Sequence, residues 1–160
     1  MKINKKAQLL EKPFIHIFAA IVSALVLLFG FYLVTNLLKT SNCTQAGLAF
    51  NDLQTAVNRY YNFDIGSSTE YNLKLPKKIK YVCLANGDEA SPFVLDKIEN
   101  GLSTAFSSGK YNLAFSPISY CSKSFFKLEK VNVKEGTFCL LNTGGVKFYL
   151  ENKGEFVEIS

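Results

Sequence analysis

The sequence predicts an α+β fold in which a long N-terminal helix, first transmembrane and then amphipathic, packs on an antiparallel β-sheet. Three observations lead there. An uncharged run of 26 residues, Pro13 to Leu38, sits close to the N-terminus. A stretch with helical spacing follows it, from Cys43 to Asn62. After Gly66 the chain breaks into short β-prone runs separated by Gly, Asn and Pro. The domain plan is therefore a basic leader at 1–12, a transmembrane helix at 13–38 and an extracytoplasmic α+β domain at 39–160, with an amphipathic helix at 43–62 and a mainly β part at 66–160.

As a helix the uncharged run extends about 39 Å, against about 30 Å of bilayer hydrocarbon, so it suffices to cross. Its flanks orient it. Lys2, Lys5, Lys6 and Lys12 precede it and Lys39 alone follows closely, which places the N-terminus in the cytoplasm and the C-terminal part outside. Residues 1–39 hold five Lys and one Glu, whereas 40–160 hold thirteen basic and twelve acidic residues. The net charge of +5 is thus mostly membrane topology and not a nucleic-acid surface. A cleaved secretory signal fits less well, because the apolar run is long and Leu33-Val34-Thr35-Asn36 stands where small residues would be needed. Small residues at Ala19, Ala20, Ser23 and Ala24 would allow close approach of neighbouring helices.

The residues Lys5-Lys6-Ala7-Gln8-Leu9-Leu10-Glu11, followed by an apolar helix, resemble the class III signal of type IV pilins and related archaeal surface filaments. The resemblance implies a pilin-like architecture, with cutting between Lys6 and Ala7 by a prepilin peptidase and Glu11 as the fifth residue of the mature chain. It also implies that the apolar helices pack together in homo-oligomers or with other pilin-type subunits. Two features depart from the family pattern, Lys12 and Pro13, which stand between the cut and the apolar run; Pro13 must either be tolerated inside a helix or begin one.

Beyond the membrane, Ser41, Asn42 and Thr44 offer capping side chains. Cys43, Ala46, Phe50, Leu53, Val57 and Tyr60 then recur at steps of three or four. If this helix continues the span, the two form one rod from Phe14 to Asn62, about 73 Å long, with its expected break at Thr40 to Asn42. Strands are predicted at Tyr71–Leu75, Ile79–Ala85, Tyr111–Phe115, Phe125–Val133, Thr137–Leu141, Val146–Glu151 and Phe156–Ile159. Turn residues at 142–145 and 152–154 make 137–159 a three-stranded meander. Pro92 to Leu102 reads as a short helix with Ser91 as its cap and Gly101 at its end.

Cys43, Cys83, Cys121 and Cys139 all lie on the exported side, an even count that points to disulfides in an oxidising compartment. Zinc would require closer Cys pairs, so no metal is expected. Three connectivities remain open; matching apolar with apolar surroundings would join Cys83 to Cys139 and Cys43 to Cys121. His16, inside the span, is the sole histidine, which leaves the exported part without an imidazole base. No catalytic constellation or cofactor motif stands out, and an enzyme is not expected. Asp88 and Glu89 read as a solvated turn, and Gly144-Gly145 lacks the pattern of a phosphate loop. Asn42-Cys43-Thr44 has the form of a glycosylation sequon. Lys74, Lys77, Lys78 and Lys80 form a basic cluster around Pro76, read as protection of a sheet edge and not as a nucleic-acid site.

Overall fold

The computed structural model describes residues 7–87 and 90–160, with side chains from Phe14 onward. Residues 1–6 of the expected leader, Lys6 among them, the side chains of 7–13, those of Ala7 and Glu11 among them, and residues 88–89 lie outside the described residues. The chain divides into two units, Met1–Thr40 and Ser41–Ser160.

Helix α1 spans Ala7–Tyr61. In the first unit it contains the one described helix long and apolar enough to cross a membrane. All its described side chains from Phe14 to Thr40 are exposed, apart from a half-buried Gly30. Two hydroxyls of this stretch bond within the helix: Ser23 Oγ donates to the Ala19 carbonyl (2.7 Å) and Thr35 Oγ1 to that of Tyr32 (2.9 Å). Pro13 lies inside α1, at the cost of the backbone bond it cannot donate.

The expected break at Thr40–Asn42 is absent, because α1 runs through it. The would-be capping residues are used otherwise. Asn42 Nδ2 donates to the Tyr120 hydroxyl (2.9 Å) and Cys43 bonds to Cys121. Within the second unit, Ala46, Ala49, Leu53 and Val57 form the buried stripe of α1, joined by the partly buried Phe50, Ala56 and Tyr60. The steps of three and four put all seven on one face.

Eight strands and two short helices complete this unit: β1 (Ser68–Leu73), β2 (Tyr81–Ala85), α2 (Pro92–Ile98), α3 (Leu102–Ser107), β3 (Leu113–Ser116), β4 (Phe125–Phe126), β5 (Val131–Val133), β6 (Thr137–Leu141), β7 (Val146–Asn152) and β8 (Val157–Ile159). The fold is α+β, but the single antiparallel sheet of the sequence reading is two four-stranded sheets, ordered β1-β7-β8-β5 and β4-β3-β2-β6. One pair, β5 with β8, is parallel.

The three-stranded meander at 137–159 is likewise corrected. Strand β6 pairs with β2 in one sheet, while β7 and β8 form a hairpin in the other. The Asn142 side chain holds the crossing point, donating to the carbonyls of Pro76 (3.0 Å) and Ile79 (2.7 Å). Gly144, at φ +116°, then turns the chain toward the second sheet.

The run Phe125–Val133, expected as one strand, splits into β4 and β5. Asn112 is the cause. Its side chain accepts from the Leu128 amide (2.6 Å) and donates to the Leu128 carbonyl (2.8 Å), occupying the groups that a strand partner would need. The helix expected at 92–102 also divides, into α2 and α3. Glu99 adopts extended backbone after α2, and its carboxylate accepts from Ser116 Oγ (2.7 Å) and the Ile118 amide (2.9 Å).

Strands β2 and β3 are buried on both faces. Val82, Leu84, Leu113 and Phe115 join the main core beneath α1. Alternate residues Cys83, Ala85 and Ala114 face a second core with Leu95, Leu102 and Phe106 of α2 and α3. This central layer makes the α1 stripe the lid of the main core. Leu53, fully buried in that stripe, should therefore cost about 2–5 kcal/mol when changed to Ala. Leu48→Ala, on the exposed face of the same helix, should cost under about 0.5 kcal/mol. Urea denaturation of the full chain in detergent, followed by tyrosine fluorescence, measures both.

Candidate functional site

The four cysteines form two bonds, Cys43–Cys121 and Cys83–Cys139, and none is free. They do different work. Cys83 and Cys139 are directly opposed on neighbouring β2 and β6, so their bond closes a pair that the sheet already holds. Cys43–Cys121 joins α1 to the loop after β3 across 78 residues of sequence. Tyr120 adds to this clamp through the Asn42 side chain, which ties up the amide nitrogen that a glycan would require.

Two grooves flank the exposed face of α1 on the side of edge strand β1. One, of about 260 Å3, is lined by Gln45, Leu48, Ala49, Asp52, Lys74 and Leu75. The other, of about 300 Å3, lies between Asp52, Thr55, Ala56 and Arg59 of α1 and Thr69 to Tyr71 of β1. The Tyr71 hydroxyl has its pKa pushed up, first by burial and then by the Asp52 carboxylate. It therefore stays protonated and neutral at physiological pH. On the far side of the helix, Thr44, Gly47, Leu48 and Phe50 border a third groove of about 360 Å3 with Lys123 and Phe126.

The outward face of the β1–β7–β8 sheet is polar. Glu70 pairs with Lys147, and Glu151 with Lys153 (2.7 Å), which pushes the pKa of both lysines up through these hydrogen bonds. These pairs are exposed and contribute little to stability. Among the described residues no group of three His, Cys, Asp or Glu side chains is placed to hold a metal. The grooves bring together carboxylates, a neutral phenol and cations.

No family model, curated protein or solved structure matches this chain. What the chain does must be argued from its own geometry. The processing residues named from the sequence, Lys6, Ala7 and Glu11, lie outside the described side chains. The residues that sequence reading missed are the asparagines. Asn86, Asn112, Asn142 and Asn152 each bind backbone groups of a distant segment. Their only signal in the sequence is position, beside strand ends and turns, where an Asn also serves as an ordinary turn residue.

Because Cys43–Cys121 closes the longer loop and anchors the helix that covers the core, its loss should matter more than its small size suggests. The double change Cys43→Ser and Cys121→Ser should lower stability by about 4 kcal/mol on the chain-entropy account. Comparison of the urea midpoints of this variant and the parent chain gives the difference.

Proposed function

We propose that this chain is a single-pass membrane protein with its N-terminus in the cytoplasm and its folded unit outside. In this reading its work is structural, as a type IV pilin-like filament or minor subunit that assembles through its apolar helix. One observation carries the proposal: the apolar side chains from Phe14 to Leu38 are exposed all round a single helix, an arrangement stable in lipid or among like helices and costly in water. The two disulfides support an oxidising compartment for the second unit. The role is non-enzymatic, and the partners are the membrane, other copies or pilin-type subunits, and a prepilin peptidase acting at Lys6–Ala7. Nucleic acid is not among them, since the second unit is nearly neutral in total charge.

Topology is tested first. Lys110 is exposed, so the variant Lys110→Cys should react on intact cells with a maleimide that cannot cross membranes. Reaction only after lysis refutes the orientation.

Filament subunit and anchored module part at the N-terminus. With a class III signal, mature protein begins at Ala7, loses Lys2, Lys5 and Lys6, and carries a side-chain charge of +2 in place of +5. Glu11 among packed apolar helices would be costly unless a cation met it, and the new N-terminal amine of an adjacent subunit supplies one. Glu11→Ala should then impair assembly while membrane insertion is kept, and Ala7→Trp should block processing. N-terminal sequencing of protein from native membranes decides the matter. A chain that retains Met1 to Lys6 leaves a surface-binding module that is anchored but never polymerises.

A further inference from the structure

Five lysines of the second unit gather at one end of it. Four segments meet where the chain enters this unit at Ser41: the first turns of α1 within it (41–48), the loop from β1 to β2 (72–81), the loop after β3 (116–124) and the β6–β7 turn (140–146). Their meeting is fixed by specific bonds. Cys43 is joined to Cys121 and Asn42 to Tyr120. Asn142 holds the carbonyls of Pro76 and Ile79, and the Lys80 amide donates to the Ser116 carbonyl (2.7 Å). These segments contain Lys74, Lys77, Lys78, Lys80 and Lys123 and no Asp or Glu. All five lysines are exposed. The unit as a whole holds thirteen basic and twelve acidic residues, so its near-neutral total conceals segments that carry five lysines and no carboxylate.

Two carboxylates from elsewhere border the basic end. Asp52 lines the groove with Lys74, and Glu99 is occupied by Ser116 and Ile118. Neither offsets Lys77, Lys78, Lys80 and Lys123. Lys74 and Lys123 stand in the grooves on opposite sides of Leu48, an apolar side chain 55% exposed on α1. Cations flanking an exposed leucine suit a surface that is anionic outside and apolar just beneath, which is a bilayer interface.

We propose that this basic end docks on anionic lipid headgroups of the bilayer that α1 enters. The inference rests on the membrane-spanning reading above and adds a second contact to it. The chain enters the unit at Ser41, three residues after Leu38, so the end that carries the lysines is also the end to which the apolar segment is attached. Opposite charge at headgroup distance is effective only within a Debye length, about 8–10 Å at physiological salt, and an end so attached is the one that can meet this condition. The lysine cluster thereby sets which way the unit faces.

The test uses the full chain in nanodiscs of phosphatidylcholine alone or with phosphatidylglycerol, exposed briefly to a water-soluble amine-acylating reagent and read by mass spectrometry. In the anionic discs Lys74, Lys77, Lys78, Lys80 and Lys123 should acylate several-fold more slowly than in the neutral discs. Lys97 and Lys110 should react equally in both, and high salt should abolish the difference. The double variant Lys77→Glu with Lys78→Glu should lose the protection at Lys74 and Lys123, at about five-fold in docking per lysine removed. Equal acylation in the two lipids overturns the docking, and so does protection in neutral discs by inorganic phosphate alone. A chain that fails to co-purify with either disc overturns the membrane-spanning reading itself, an outcome distinct from incorporation without lipid-dependent protection.

Discussion

The stripe of Ala46, Ala49, Leu53 and Val57 is the surface against which the second unit is assembled. Neither four-stranded sheet could bury its apolar face without it. Leu73 and Phe148 from one sheet and Val82, Leu84 and Phe115 from the other all belong to the core beneath this stripe. Ala46, Ala49, Leu53 and Val57 are all buried in that core, the last two fully. The same helix offers its apolar surface to protein over only part of its length, and Phe14 to Leu38 must find another apolar environment. One element thus carries two apolar surfaces of different kinds, and that division underlies both the fold and the function proposed for it.

Within this frame, side-chain amides perform much of the positioning that longer strands would otherwise provide. Strands β4, β5 and β8 are two or three residues long, too short to hold register alone. Asn112 grips Leu128 between β4 and β5, Asn86 accepts from the Val133 amide (2.9 Å), and Asn152 donates to the Phe63 carbonyl (2.7 Å) beyond α1. An amide that donates and accepts at once can satisfy two backbone groups of a segment left outside the ladder. A substitution by Asp at these places would lose the donor, and one by Leu would lose both functions.

Much of this was legible from periodicity. The helical face of Ala46, Leu53 and Val57 follows from steps of three and four, and the edges of Thr137–Leu141 coincide with the strand as observed because Gly136 and Asn142 punctuate both ends. What could not be read was long-range. Phe125–Val133 has the composition of one strand, yet Asn112, thirteen residues before its start, interrupts it through a contact that no local pattern records. The parallel pairing of β5 with β8 is similarly invisible, since Val131 to Val133 carry the same alternation whichever direction their partner runs. At the candidate site, the lysine cluster around Pro76 was evident as a cluster. Its association with Lys123 depended on the Cys43–Cys121 bond and the Asn142 bridge, which are properties of the folded chain.

The Cys43–Cys121 bond also determines how the unit bears tension. A pull between α1 and the C-terminus enters at Cys43 and passes directly through sulfur to Cys121, so residues 44–120 lie in a closed loop outside the line of force. Only the 39 residues from 122 to 160 can be drawn out while the bond holds, about 130–140 Å of chain; without it, and with Cys83–Cys139 intact, residues 44–83 and 140–160 could be drawn out, about 200–220 Å. Strands β1, β2 and β3, together with the helix stripe they cover, are within the protected loop. An object tethered through this unit would feel a short leash that stretches little and then stops.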